Sequence, residues 1–190
     1  MIGDEPRLAN TFQDRSVQRL DFVCNIVTAA KALFPQIEIR LLESIPVVNA
    51  QASAVGKRRT VDLFGGLIFH PALGPDALTF SLAHELGHHI AAGPRQYCGS
   101  ILACDCAADA WATGVGFDLL SAGRTQPTIR RAVEELGPVV SDPNRKQVSP
   151  PRSSFKCWAL DWKRRASVLK TGNVGTIKTC GIFEIIQRRN

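Results

Sequence analysis

His84, Glu85 and His88 form the cluster in this chain whose residue types and spacing point most directly to chemistry. Residues four apart on a helix share one face, so both imidazoles can turn a ring nitrogen toward one ion, at about 2.0–2.1 Å for zinc. Glu85 sits beside the first histidine and reaches a water on that ion. A divalent cation lowers the pKa of such a water toward about 7, and a neighbouring carboxylate takes its proton and passes it to a leaving amine. The pattern therefore predicts zinc-assisted hydrolysis of a peptide bond, with a peptide or protein as substrate. Three of the four histidines fall within six residues, inside the apolar run Leu78–Ile90. Buried imidazoles without a partner would be costly there, which argues against a chance match.

A catalytic zinc takes three protein ligands and keeps a fourth position open. The third ligand is best sought in Asp105–Ala112, where Asp105, Ala108, Asp109 and Ala112 share one helical face. Two acids among small alanines suit a helix packed closely on the histidine helix. Asp105 is the expected ligand, and Asp109 the carboxylate that orients a ligand histidine from behind. Asp109 itself, Cys104 and Cys106 are its rivals. A closed four-ligand sphere using Cys104 or Cys106 would instead make a catalytically silent, zinc-stabilised module that regulates a partner. Tyr97 and His70 are candidate donors to a developing oxyanion. His89 follows His88 and should point away from the ion.

These residues resemble the gluzincin-type metallopeptidases, particularly the soluble minigluzincins and the peptidase domain of the clan containing the CAAX prenyl proteases and the bacterial heat-shock membrane peptidases. The likeness rests on Asn49-Ala50, the stretch Val61–Phe69, the segment Ala83-His84-Glu85-Leu86-Gly87-His88-His89, and Asp105-x-x-Ala108-Asp109. It spans about residues 15–120, and the His-Glu-x-x-His core is its most specific part. The resemblance implies a compact α+β, zincin-like domain. A small three- or four-stranded sheet would pack on the His-Glu-x-x-His helix, with a second helix bearing the remaining ligand. It implies Zn2+ held by His84, His88 and Asp105, Glu85 as general acid/base, and Asp109 behind a ligand. It also implies an edge strand that aligns an extended substrate, a role expected of Thr60–Phe69. Asp105 stands where the family carries glutamate. It is one methylene shorter, so the two helices must pack more closely for it to reach the ion. The membrane helices of the larger relatives are absent.

The elements needed to position this site are legible in outline. Ser16–Phe34 reads as an amphipathic helix with Leu20, Cys24, Val27 and Ala30 on its apolar face, ended by Pro35. Ile37, Ile39 and Leu41 alternate with polar residues as a strand does, and Val47–Val55 is a second strand. Gly65-Gly66 within the third marks a bulge or a close approach to another backbone. Helices are expected at Ala77–Ala92, Ser100–Leu120 and Thr128–Leu136. Asp142-Pro143 and Ser149-Pro150-Pro151 punctuate the chain near residue 145. Residues 1–144 then form the metallopeptidase-like domain and 145–190 a basic extension of unknown role, with a helix over Phe155–Leu169 and a strand over Thr176–Ile186.

Composition narrows the classes. At 45% apolar and 21% charged residues, the chain has the make-up of a globular protein with a core. No stretch approaches the roughly 18–20 apolar residues of a membrane span. Met1–Asp14 is polar and lacks the layout of a secretory signal, so a cytoplasmic location is expected and the six cysteines are read as reduced thiols. From Asn144 onward eleven Lys/Arg face two acids, a net +9, whereas the preceding residues carry twelve basic and fifteen acidic side chains, a net −3. That block is a candidate contact for nucleic acid or an anionic surface, against the plainer reading of a solvated tail.

Overall fold

The computed structural model describes residues 17–93, 95–96, 100–121, 128–140 and 162–171. It is an α+β arrangement in which one buried helix is flanked by a three-stranded mixed sheet and by further helices.

Helix α1 (Val17–Leu33) buries Arg19, Val23, Ile26, Val27 and Ala30. This stripe lies to one side of the expected face: Cys24 is exposed, because the larger apolar residues Val23 and Ile26 take the inward positions. Arg19 is buried productively, since its guanidinium donates to the carbonyls of Ile68 (3.2 Å) and His70 (2.7 Å).

The strands are β1 (Glu38–Leu42), β2 (Ala50–Val55) and β3 (Arg58–Phe64), in the order β1-β3-β2. β1 runs parallel to β3, with Ile39 opposite Val61. β2 pairs with β3 as a hairpin across Gly56-Lys57, with Ala52 opposite Val61. Two expectations need correcting. The third strand stops at Phe64, where the single helical turn α2 (Gly65–Ile68) begins. A Cβ on Gly65 would lie 1.9 Å from the Glu43 carbonyl oxygen, so the glycine marks a close backbone approach rather than a continuing strand. The strand also lies in the middle of the sheet, paired on both sides, so it has no edge to offer a substrate; the edges are β1 and β2. Asn49 accepts from the Phe64 amide at 3.3 Å, which fixes the alternation along β2. The peptide groups of Ala50, Ala52 and Ala54 consequently face away from β3.

Helix α3 (Pro75–Ile90) is the centre of the molecule. Proline opens it, Asp76 lies in its first turn, and Ala77, Leu78, Phe80, Leu82, Ala83 and Leu86 are all buried. A helix buried this completely has a core role by its composition. α4 (Asp105–Trp111), a π-helical turn at Ala112–Gly116 and α5 (Phe117–Leu120) follow as one rod. The expected helix from Ser100 starts later, because Ala103 instead pairs with Arg95 and donates its amide to the His88 carbonyl at 2.7 Å. The π turn coincides with Thr113, whose hydroxyl donates back to the Asp109 carbonyl at 2.8 Å.

Helix α6 (Ile129–Val140) turns Ala132, Val133, Leu136 and Val139 into the core. On it packs α7 (Trp162–Thr171), whose Leu169 is buried in the same core. No helix among the described residues is long and apolar enough to cross a membrane. The expected break near residue 145, the strand over Thr176–Ile186, and all of the basic extension except α7 lie outside the described residues.

Candidate metal centre

His84 and His88 lie one turn apart on α3, their rings edge to face with centroids 4.7 Å apart. Each has its Nδ1 engaged on the far side. His84 Nδ1 lies 2.8 Å from Asp109 Oδ1, and His88 Nδ1 lies 2.7 Å from the Ala103 carbonyl oxygen. Both acceptors take Nδ1–H, which leaves Nε2 as the lone-pair nitrogen of each ring in its neutral form. Phe80 stacks on the His84 ring at 6.3 Å, one turn earlier on the same helix.

The free nitrogens converge on Asp105. Its Oδ1 is 3.5 Å from His84 Nε2 and 3.8 Å from His88 Nε2, and the three ligand atoms all lie within 4.8 Å of one another. Ligands at about 2.1 Å around a tetrahedral ion stand about 3.4 Å apart, and both distances from Asp105 Oδ1 lie within a few tenths of an ångström of that spacing. The donor set, two imidazole nitrogens and a carboxylate oxygen, is one that zinc accepts. Neither Cys104 nor Cys106 belongs to the cluster; both thiols are buried, in a small apolar cluster with Ala91, Ala103 and Ala107.

Asp105 reaches the histidines because α3 and α4 almost touch. A Cβ on Gly87 would lie 2.7 Å from the Ala108 carbonyl oxygen and 2.9 Å from its Cα. Only hydrogen at position 87 allows this approach.

The electrostatics favour a cation. Burial opposes charge on His84, but Asp109 and Asp105 outweigh it and the pKa is pushed up to about 10. A proton on His84 thus occupies the place in which an ion would sit. Burial likewise works against ionised Asp109, yet the Arg165 guanidinium and His84 hold its carboxyl well below the usual range. Asp105 is lowered too: its burial is overcome chiefly by His84, with Arg165 and His88 helping.

Glu85 lies next to this cluster and is partly exposed. Its Oε2 accepts the outward-facing amide of Ala52 on β2 at 2.7 Å, which ties the carboxylate to the sheet edge. The remaining candidates are elsewhere. His70 precedes α3; its Nδ1 accepts from the Ala72 amide at 3.2 Å, and it takes no part in the cluster. His89 turns to the sheet, with Nε2 2.9 Å from the Thr60 carbonyl oxygen, as its position after His88 implied. Tyr97 lies outside the described residues.

Three participants have no signature in the sequence. The Ala103 carbonyl and Ala52 amide are backbone groups, which any residue would supply. Arg165 is one of eleven basic residues in the final segment, yet its side chain is only 20% exposed. It holds Asp109 through two parallel bonds, Nε to Oδ2 at 2.7 Å and Nη2 to Oδ1 at 2.9 Å. The only pointer was a buried second acid, Asp109, in need of a cation. No family model, curated protein or solved structure compared with this chain matches it, so the reading of this centre rests on its own geometry.

Proposed function

We propose that this chain is a zinc-dependent peptide hydrolase of the gluzincin kind. The observation that carries the reading is the convergence of His84 Nε2, His88 Nε2 and Asp105 Oδ1. Three protein ligands on a tetrahedral ion leave one position for water, as catalytic zinc requires and structural zinc does not.

When bound, zinc supplies Lewis acidity, which makes a water acidic enough to ionise near neutral pH and polarises a carbonyl. Asp109 and the Ala103 carbonyl hold the two imidazoles in the tautomer that binds metal. Glu85 takes the proton from the attacking water and returns it to the leaving amine, a contribution of about 10²–10⁴-fold. An extended substrate would align on the outer edge of β2, using the outward peptide groups of Ala50 and Ala54 and the carbonyl of Ala52, whose amide is held by Glu85. This edge adjoins Glu85 directly, through the bond to Ala52. In the likeness to gluzincins, Asp105 fills the glutamate's place and the Gly87–Ala108 contact makes up the missing methylene.

Metal analysis with cleavage of a peptide library by wild type and Glu85→Gln tests this reading. Wild type is expected to hold one zinc and to cleave; the variant should keep the zinc and lose cleavage by at least about a hundredfold. Zinc bound without cleavage by either protein would make the domain a silent zinc-stabilised module. No zinc in either would remove the reading altogether.

A further inference from the structure

Arg165 comes from a helix 56 residues beyond Asp109, yet it completes the surroundings of the candidate metal centre. Its guanidinium engages both oxygens of Asp109, and its Nη1 lies 4.0 Å from Asp105 Oδ1. Asp109 Oδ1 is shared: it serves Arg165 and also His84 Nδ1. The guanidinium thus fixes the plane and position of the one carboxylate that orients His84. Asp109 is 1% exposed, and its two bonded oxygens leave it little freedom to rotate. We propose that α7 is a working part of the metal centre, with Arg165 as a positioning residue, so that docking of α7 and binding of zinc reinforce one another.

The proposal rests on the zinc reading above and deepens it. Three physical points support it. First, a bidentate guanidinium–carboxylate pair is directional, whereas an ammonium in its place is a point charge with no fixed plane. Second, without Arg165 the buried Asp109 would keep only the His84 bond of the contacts above, and its carboxylate would be free to swing away from that ring. Third, coupling is reciprocal: if α7 raises the affinity for zinc, zinc raises the stability of docked α7 by the same factor. Among the described side chains of α7, Leu169 lies in the core and Lys170 stands 3.9 Å from Glu134 at the surface.

The test is zinc affinity of the full chain, by competition with a chromophoric chelator, in wild type, Arg165→Lys, Arg165→Met and the surface control Lys170→Ala. Groups that orient a ligand histidine usually matter by about 10–100-fold in metal affinity. Arg165→Met is expected to lose affinity in that range. Arg165→Lys should fall between it and wild type, and Lys170→Ala should equal wild type. Amide exchange in α7 should slow when zinc is added to wild type and stay unchanged in Arg165→Met. The visible spectrum of the cobalt(II)-substituted protein should differ between wild type and Arg165→Lys, a change that mere support of α7 would not produce. Should Arg165→Met fail to fold, Arg165→Lys carries the test through affinity and spectrum. Wild-type affinity and spectrum in the Arg165 variants would overturn the proposal while leaving the zinc site intact. A wild type that binds no zinc would overturn both.

Discussion

Helix α3 is gripped by a carboxylate near each end, and the two acids behave in opposite ways. At its start, Glu135 of α6 accepts the amides of Gly74 and Ala77 through Oε2, at 2.9 and 3.0 Å. Near its end, Asp109 of α4 meets the His84 imidazole and the Arg165 guanidinium. Burial raises the pKa of Glu135, and the two amides together with Arg131 only partly offset it. Asp109 is more deeply buried and yet held low, because full positive charges face it. Two backbone amides make Glu135 a helix cap. An imidazole backed by a guanidinium makes Asp109 the support of the candidate ligand His84. The partner, not the depth of burial, decides which role a buried carboxylate takes.

Removing each acid in turn should separate these roles. Asp109→Ala takes the bidentate carboxylate from Arg165 and the Nδ1 partner from His84. It should cost about 3–5 kcal/mol of stability and lower zinc affinity by about 10–100-fold, read by denaturant melts and chelator competition. Glu135→Ala leaves two amides unsatisfied, for a loss of about 1–3 kcal/mol with zinc affinity unchanged. If Glu135→Ala weakens zinc binding as much as Asp109→Ala does, the contrast between the two ends is wrong.

A smaller effect sharpens the same point through pH. His84 has its pKa raised from 6.5 to about 10, so in the metal-free chain its stabilisation is complete below pH 6.5 and lost as pH rises toward 10. Asp109 has the opposite sign: its contribution is present above its unfolded value of 3.8 and is lost as pH falls through its lowered folded value. Zinc must displace the His84 proton, so apparent affinity should rise by about tenfold per pH unit from about pH 7 to 8.5. An ordinary imidazole would give a plateau above about pH 7.5, and such a plateau would contradict the Asp109–His84 coupling.

The histidine helix α3 was the most legible part of the sequence. Its apolar run, proline start and paired histidines act through short-range rules, and α3 differs from expectation only by two residues at each end. The facing acids of α4 were legible for the same reason, since one helical face brings Asp105 and Asp109 together. The sheet order was not. Alternation identifies strands but does not say which of them is central, and the edges are β1 and β2 rather than the expected β3. Nor was Arg165 legible, because a contact across 56 residues leaves no periodic trace, and in a basic segment one arginine resembles the next.

The contact between Gly87 and the Ala108 backbone works as a gauge for the whole centre. It sets the gap between two helix axes, and that gap dictates how long an acid at position 105 has to be. Positions 87 and 105, on different helices and 18 residues apart, therefore form a matched pair of lengths. Alanine at the first would press its methyl group on the facing backbone and drive the second away from the histidines.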